Sequence, residues 1–477
     1  MLGLGTGRVL DAAQDLLEQL GGEVIRVTNV AGPVHVARVA GIAPLGALDA
    51  AGALDHPPFP VVRVADVDPA VAWAQSGAMW LTGDPDGPPC VAPGALADRV
   101  RGAGAVVQLL AACTGVALDL DPLALLGERA AITGFGRSGT TAVGGGCHLI
   151  HAGDGYVALN LARPDDIASL PALLECNVGV DDWPAVTAAI AARSVAVLEE
   201  RANLLGLALG VWPGPDGRFA RSPFHLSGRA ARPLRAGEPR DTRAAPRQQL
   251  PLVVDLSSLW AGPLATSLLV RCGARVIKVE GARRPDGARR GPAAFFDLLN
   301  EGKECVALDF GARDDIALLR ALIARADIVV EASRPRVFDA LGIEPAAVVR
   351  DGTTAWISIT GYGRTGAGAN RVAFGDDAAV AGGCTVGDPP RFVADAVADP
   401  LAGLYAAAAG LAAIVGRRGD VVDLALVNAA AYAVGARDAT AVPQDADVAA
   451  ALPRAREAHG HAAALGAHTD AIRAEFM

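Results

Sequence analysis

Apolar and polar positions form their clearest pattern just past the middle of the chain. The apolar run Leu252–Leu256 predicts a buried strand, and the spacing of apolar residues over Leu264–Cys272 predicts a helix after the turn Ala261-Gly262-Pro263. A second apolar run, Ala274–Val279, predicts a second strand. A strand–helix–strand unit of this length sets its two strands parallel, with a crevice at their carboxyl ends. The pattern therefore predicts an α/β fold with a parallel sheet.

An arginine-rich loop follows the second of these strands. It contains Arg283, Arg284, Arg289 and Arg290, and several guanidinium groups beside the end of a strand suit a polyphosphate. A solvated charged loop is the alternative, and the loop alone does not decide between the two. The unit lacks the G-x-G-x-x-G turn, so nothing supports an ordinary NAD or FAD site.

Part of this pattern occurs twice. Residues 16–27 read LLEQLGGEVIRV and residues 268–279 read LLVRCGARVIKV. A second pair of segments, 81–115 and 385–416, runs in each case from G-D-P through P-P and A-D to a glycine and an apolar helix. Shared Ala and Gly bias does not explain the matched order, so we interpret the chain as an imperfect internal repeat.

Composition limits the classes of protein to consider. A chain of 477 residues with 52% hydrophobic and 20% charged residues predicts a globular protein of two or three domains. The net charge of −10 argues against nucleic acid as the main partner, although a local basic pocket for an anionic ligand stays possible. The start of the chain does not resemble a signal peptide, and no run of 18 uncharged apolar residues predicts a membrane span.

Seven scattered cysteines without a C-x-x-C pair indicate reduced thiols. We therefore expect a cytoplasmic protein with no membrane association and no metal site.

Five motifs in the second half follow one another as they do in the family III CoA-transferases, which the chain resembles. They are AGP, GARVIKVE, NEGKECVALDF, ADIVVEASRP and ISITGYGRTG, and together they span residues 261–366. The resemblance continues through residues 389–426 and ends in LGAHTD at residues 465–470. The order of the motifs carries the resemblance, since no single motif would. The family includes formyl-CoA and carnitine-CoA transferases and α-methylacyl-CoA racemase.

The resemblance implies transfer of coenzyme A between an acyl-CoA and a carboxylic acid through a covalent aspartyl intermediate. Coenzyme A would be a substrate, and no cofactor would be needed. The family carries its nucleophile in A-D-x-x-x-G, which here starts at Ala398 and makes Asp399 the catalytic residue. The glycine run Gly144, Gly145 and Gly146 corresponds to the glycine loop of the family.

The same resemblance implies a set of residues that line or support the CoA pocket: Gly262, Pro263, Lys278, Glu280, Arg283, Arg284, Lys303, Arg334 and Arg336. Lys278 and Glu280 could instead form a structural ion pair. Three details of the chain depart from the family: Arg336 stands in place of a Gly, Ala340 in place of an Arg, and Ala332-Ser333 in place of Asn-Phe. These departures alter the pocket.

Other interpretations stay open. Asp399 could be a helix N-cap, with Pro400 at the first helical position, and Asp98, its counterpart in the first copy, could be a relic or a cap. An acyl-CoA racemase is one alternative function, but the racemase branch has a His before its Asp where this chain has Gly375-Asp376-Asp377. A degenerate CoA-binding protein without turnover is another alternative.

Family III enzymes are interlocked dimers, and each copy here has lost parts that the other keeps. We therefore predict a Rossmann-like large domain and a smaller α+β domain, arranged as a fused pseudo-dimer. The predicted units are a truncated first copy at 1–127, a small domain at 128–215, a linker at 216–249, an intact large domain at 250–437 and a tail at 438–477. In solution the chain would be a monomeric pseudo-dimer or a homodimer.

Overall fold

The computed structural model of this chain describes most of its length. The described residues are 7–21, 67–227, 250–350, 354–416, 419–436 and 448–477, with the backbone of a few short strands before residue 64. Most of the predicted linker, at 228–249, lies outside the described residues, and so do residues 438–447 of the predicted tail.

The first part of the chain pairs two helices over a small sheet. Its elements are β1 (Leu2–Gly3), α1 (Gly7–Gln19), β2 (Glu23–Val30), β3 (Gly32–Arg38), β4 (Val62–Arg63), α2 (Pro69–Ser76), α3 (Leu96–Cys113) and α4 (Glu128–Thr133). The sheet order is β2-β3-β1-β4, and α1 packs against α3.

A three-stranded antiparallel sheet follows, with four short helices. Its elements are β5 (Cys147–Ala152), β6 (Gly155–Asn160), α5 (Pro164–Ala168), α6 (Leu170–Leu174), α7 (Trp183–Ala191), α8 (Val195–Leu205) and β7 (Ala208–Val211). The segment DGYVALNL, residues 154–161, contains β6. These elements enclose an apolar cluster of their own, which includes Val157, Leu170 and Leu198.

The rest of the chain builds a large, mainly parallel sheet. Its elements are β8 (Phe224–Ser227), β9 (Leu252–Leu256), α9 (Ala261–Arg271), β10 (Arg275–Gly281), α10 (Ala293–Asn300), β11 (Glu304–Leu308), α11 (Arg313–Arg325), β12 (Ile328–Glu331), α12 (Pro335–Leu341), α13 (Pro345–Arg350), β13 (Ala355–Thr360), α14 (Gly375–Ala381), α15 (Ala398–Gly416), β14 (Val421–Ala425), α16 (Leu426–Val434) and α17 (Thr469–Phe476). The sheet order is β11-β10-β9-β12-β13-β14-β8, and only β8 is antiparallel to its neighbour.

This sheet confirms the α/β prediction. Strand β9 has the predicted bounds, and it pairs in parallel with β10. The predicted turn at Ala261-Gly262-Pro263 is wrong, because these three residues form the first turn of α9. Proline is tolerated there because the first backbone N–H groups of a helix have no partner within the helix.

One apolar cluster joins the two ends of the chain. It runs from α1 and α3 to α9 and α15, where α15 packs against both α9 and α3. Helix α15 has 19 residues and is long and apolar enough, by length and composition, to cross a membrane. Most of that helix is buried inside the protein, as is usual for the core helix of a folded domain.

Two glycines make equivalent close contacts in the two helix pairs. A Cβ added to Gly102 of α3 would lie 3.0 Å from the carbonyl oxygen of Val9 in α1. A Cβ added to Gly403 of α15 would lie 2.8 Å from the carbonyl oxygen of Ala261 in α9. In the alignment of the predicted repeat, Gly102 corresponds to Gly403 and Val9 to Ala261. The two helix pairs are therefore packed in the same way.

We expect Gly403→Ala to destabilise the protein by about 1–3 kcal/mol, because overpacking a tight core contact forces the backbones apart. The side chain would meet the backbone of Ala261, which cannot move away without shifting α9. The thermal or denaturant midpoint measures the loss. The matched control is Gly179→Ala, since a Cβ at Gly179 meets no atom within 4 Å. Equal midpoints for the two variants would contradict the prediction.

Candidate active site

Asp399 lies in the first turn of α15, not ahead of it. Its backbone N–H donates to the carbonyl oxygen of Ala396 at 2.9 Å. Asp399 keeps part of its surface exposed, while Ala398 and Pro400 on either side are buried. The N-cap interpretation is therefore wrong about position, although a carboxylate in the first turn still benefits from the helix dipole.

Three further aspartates surround this turn. Asp376 at the start of α14 accepts a hydrogen bond from the backbone N–H of Ala396 at 3.1 Å, so it shares Ala396 with Asp399. Asp395 is fully buried three residues before α15 begins. Asp377 is also fully buried, and its Oδ1 accepts from the Asn160 amide at 3.0 Å. Among the described residues no group of acidic, His or Cys side chains is arranged to hold a metal ion.

One cation faces this acidic cluster, and it comes from the first half of the chain. Arg129 in α4 donates two hydrogen bonds to Asp395, from Nε at 3.0 Å and from Nη2. Its guanidinium lies 5.0 Å from the ring centre of Trp260, the residue before α9. A Cβ added to Gly144 would lie 2.9 Å from Nη2 of Arg129. Arg129 therefore stands between the glycine run and the carboxylates.

Burial and mutual repulsion raise the pKa values of these carboxyls toward neutral pH. Burial, with the negative charge of Asp376, raises the pKa of Asp399 to about 7, although Arg129 and the Gly375 N–H oppose the rise. Burial also raises the pKa of Asp376 to about 6 and that of Asp377 to about 8. Two adjacent carboxyls with raised pKa values are typical of acid–base or nucleophilic sites.

The backbone around the cluster is strained. Ala394 has a φ of 51° and Ala396 a φ of 44°, so two non-glycine residues adopt left-handed geometry on either side of Asp395. Leu259, directly before Trp260, has a φ of 69°. Such outliers persist only where the surroundings over-determine them, and they concentrate at functional sites.

The first half of the chain supplies part of those surroundings. The backbone N–H of Phe392 donates to Gly139 at 3.0 Å, and the N–H of Asp395 donates to Leu126 at 3.3 Å. The N–H of Ala394 donates to the Thr82 hydroxyl at 3.2 Å. The segment that precedes Asp399 is thus held by residues from the other half of the chain.

The structure brings the glycine run close to the cluster, through Gly144. Gly145 has a φ of 77° and open space around it, and a Cβ at Gly146 would meet only the Asn160 amide oxygen, at 3.9 Å. Asp98, the counterpart of Asp399 in α3, lies 3.8 Å from Arg101, and burial raises its pKa. It lies inside α3, so it is not the N-cap of that helix.

Both lysines of the predicted pocket are buried and engaged inside the protein. Lys303 donates to Asp255 at 3.1 Å and to the carbonyl oxygen of Pro263 at 3.0 Å. Burial lowers the pKa of Lys303 to about 8, against the attraction of Asp255. Lys278 lies 3.0 Å from Asp286 and donates to the Ser257 carbonyl oxygen at 2.9 Å. In this structure neither ammonium group is free to meet a phosphate.

Glu280 and Gly262 are also internal. Glu280 pairs with Arg289 at 2.6 Å, so the ion pair of this strand is not the one that the sequence offered between Lys278 and Glu280. A Cβ added to Gly262 would lie 2.1 Å from the Ser257 hydroxyl, and Pro263 is buried beside it in α9. These residues pack inside the protein near the carboxyl ends of β9 and β10.

The arginines behave differently, because several of them gather at the carboxyl edge of the sheet. Burial and the positive charges of Arg336, Arg163 and Arg284 lower the pKa of Arg334. Arg336, Arg163 and Arg284 therefore act on Arg334 as like charges, and of these three Arg163 also pairs with the carboxylate of Asp166. Arg283 is 79% exposed and pairs with Asp309 at 2.6 Å.

The sequence did not single out Arg129, Asp395, Trp260 or Arg163. Arg129, Trp260 and Arg163 lie outside the motifs that carried the resemblance, whereas Asp395 lies within residues 389–426 but received no role there. The sequence singled out the adjacent aspartates Asp376 and Asp377 only because the racemase branch has a histidine at this place. The signal that could have found Arg129 is its place in the small-domain block, ahead of the glycine run.

Comparison with known proteins gives a consistent picture for the second half of the chain. The family model of CoA-transferase family III matches residues 251–467. The chain is 33% identical over 122 residues to acetyl-CoA:oxalate CoA-transferase of Acetobacter aceti, which is 24% of this chain and 31% of that protein. It is 30% identical over 202 residues to succinate–glutarate CoA-transferase of Agrobacterium fabrum, covering 37% of this chain and 50% of that protein.

Among solved structures, a CAIB/BAIF family protein from Brucella suis matches with 31% identity and a TM-score of 0.35. It covers 38% of this chain and 53% of that one. The chain spans about half, or less, of the length of the curated relatives it matches.

We expect Lys303→Met to lower the free energy of unfolding by about 3–5 kcal/mol, because it removes one partner of a buried ion pair. Asp255 would keep hydrogen bonds from Thr266 and Ser257 but lose its nearest cation. Denaturant titration measures the effect. The double variant Asp255→Asn/Lys303→Met should recover part of the loss. A single variant as stable as the parent would show that the pair is not structural.

Proposed function

We propose that this chain transfers coenzyme A between an acyl-CoA and a carboxylic acid, with Asp399 as the nucleophile. The match of residues 251–467 to the model of CoA-transferase family III supports the class of reaction. The single observation that carries the proposal is the geometry of Asp399, a partly exposed carboxylate in the first turn of α15 beside an arginine and a glycine run. The relatives named above transfer CoA between acids, which supports the same class of reaction.

The chemistry needs only a carboxylate and the two substrates. The Asp399 carboxylate attacks the thioester carbonyl, the C–S bond breaks, and a mixed anhydride and CoA thiolate form. The thiolate attacks the aspartyl carbonyl, which gives an aspartyl-CoA thioester and releases the donor acid as its carboxylate. The acceptor carboxylate then attacks that thioester, and the thiolate returns to the new acyl carbonyl. Asp399 leaves as a carboxylate, so atoms and charge balance.

Each of these intermediates reacts with water, so the site must exclude it and stabilise the oxyanions. Gly144 allows its loop to approach Arg129 more closely than a residue with a side chain could. The loop and Arg129 both come from the half of the chain that lacks Asp399. This supports a site built from both halves, as the fused pseudo-dimer predicts.

The arginine group at the edge of the sheet supports binding of the CoA phosphates. We infer that Arg284, Arg334 and Arg336 receive these phosphates, because their mutual repulsion is relieved by an anion. Lys278, Glu280 and Lys303 contribute by holding the ends of β9 and β10 in place.

Racemisation is a second candidate, favoured by one observation. The sequence disfavours racemisation, because no histidine precedes Asp377 where the racemase branch has one. The observation on the other side is Asp376, a titratable carboxyl beside Asp399 that could carry a proton. Incubation of an acyl-CoA in deuterated water separates the two chemistries. Deuterium at the alpha carbon without acid-dependent CoA exchange would favour racemisation over transfer.

We expect Asp399→Ala to lower transferase turnover by at least roughly 10⁴-fold, because the nucleophile is lost. Asp399→Asn should behave in the same way, while Asp98→Ala keeps most of the activity. The assay follows CoA exchange across a panel of acyl-CoAs and acids, with intact-mass detection of hydroxylamine-trapped aspartyl species. Near-normal turnover of Asp399→Ala would refute the mechanism.

We expect Gly210→Ala to reduce turnover by on the order of 10²-fold, since displacements of about 1 Å at a site have such effects. A Cβ at Gly210 in β7 would lie 2.1 Å from the carbonyl oxygen of Asp377, so α14 and Asp376 would have to move. The matched control is Gly155→Ala in the same small sheet, where the new Cβ meets only the Val195 side chain, at 3.2 Å. Equal activity of the two variants would show that the contact between β7 and α14 does not affect catalysis.

A further inference from the structure

Asp399 is faced by charges from three other segments of the chain. Asp376 comes from α14, Asp395 from the loop before α15, and Arg129 from α4; the backbone N–H of Gly375 also points toward it. Two carboxylates therefore raise the cost of ionising Asp399, and one guanidinium lowers it. Without that guanidinium these three carboxyls would face no counter-charge from the part of the chain that the structure describes.

We propose that Arg129 is the positioning residue that keeps Asp399 ionised, through its place between Asp395 and the glycine run. The inference rests on the proposed function, because an ionised Asp399 is what the transfer reaction requires. It assigns to the first half of the chain the electrostatic control of a nucleophile in the second half.

The geometry around Arg129 fits this role better than a purely structural one. Nε and Nη2 both donate hydrogen bonds to Asp395, which is fully buried, and these two bonds fix the guanidinium plane. One face lies against Trp260, which allows a planar cation but offers no hydrogen-bond acceptor. The Arg129 side chain is 26% exposed, and among the described residues Nη1 has no acceptor. Nη1, on the side of the guanidinium away from Asp395, is therefore left as a free donor within the described part of the chain.

Asp395 and Arg129 must be considered together. Burial disfavours the charged guanidinium, but Asp395, Asp376 and Asp399 more than offset this and raise the pKa of Arg129. Its charge therefore persists across the working pH range. Part of that charge is neutralised by Asp395, and the remainder acts on Asp376 and Asp399.

The test is the pH dependence of kcat/KM, whose acid limb reports the ionisation of the free enzyme. The probe is the most active pair from acetyl-CoA or succinyl-CoA with oxalate or glutarate. Arg129→Gln should move the acid limb upward by about 1–3 pH units, the usual effect of one nearby opposite charge. Arg129→Lys should keep most of the parent profile. Asp376→Asn should move the limb the other way, because it removes a like charge.

Arg137→Gln is the matched control. Arg137 also lies ahead of the glycine run with its guanidinium over a tryptophan, 5.5 Å from the Trp80 ring, but it donates to the backbone oxygens of Asp84 and Gly87. The acid limb of kcat/KM for Arg137→Gln should lie at the same pH as that of the parent. An unmoved limb in Arg129→Gln, or a shift equal to that of the control, overturns the inference.

A second readout works without substrate. Carbon-13 NMR of aspartate carboxyls, with the Asp399 signal identified by its loss in Asp399→Asn, gives the Asp399 titration directly in the full chain. A higher midpoint in Arg129→Gln supports the inference, and an equal midpoint overturns it. If Arg129→Gln does not fold, the double variant Arg129→Gln/Asp395→Asn decides, because it leaves no buried carboxylate without its cation. Its Asp399 midpoint should lie above that of Asp395→Asn, and an equal midpoint overturns the inference. A chain that shows the NMR shift but no CoA exchange would refute the proposed function alone.

Discussion

Buried charge is the constraint that organises this protein. Removing a carboxylate or a cation from water costs several kcal/mol, and the cost is recovered only where partners of the opposite sign and hydrogen-bond donors meet it closely. The structure meets this requirement in several pairs outside the candidate active site: Asp255 with Lys303, Glu280 with Arg289, and Glu128 with Arg456. The candidate active site is the exception. There three carboxyls share one cation, and the unmet part of the cost appears as raised pKa values.

The two halves of the chain are tied together at that exception. Helices α1 and α3 repeat the packing of α9 and α15, down to a glycine against a backbone carbonyl in each pair. In the second pair, the first turn of α15 carries Asp399. The loop before α15 donates backbone hydrogen bonds to Thr82, Leu126 and Gly139. The first half of the chain thus supports the segment of the second half that precedes Asp399.

The sequence predicted regular elements better than it predicted the site. Apolar runs located β9 and β10 within two residues, because a buried parallel strand must be apolar on both faces. It misplaced the start of α9, because a proline in a helix's first turn resembles a turn. It left the roles of Lys278 and Lys303 open, since a short motif does not reveal whether a cation faces solvent or a buried carboxylate. Arg129 and Asp395 were out of reach for a further reason: their meeting depends on tertiary packing between distant segments, and no local pattern encodes it.

Glu128 and Arg129 are neighbours at the start of α4, and they hold two different parts of the protein. Glu128 pairs with Arg456 near the end of the described residues, while Arg129 pairs with Asp395 in the loop before α15. One turn of α4 therefore connects the segment around Arg456 with that loop. Both ion pairs depend on the orientation of this turn, so a change around Arg456 is transmitted to the surroundings of Asp399 through two neighbouring residues.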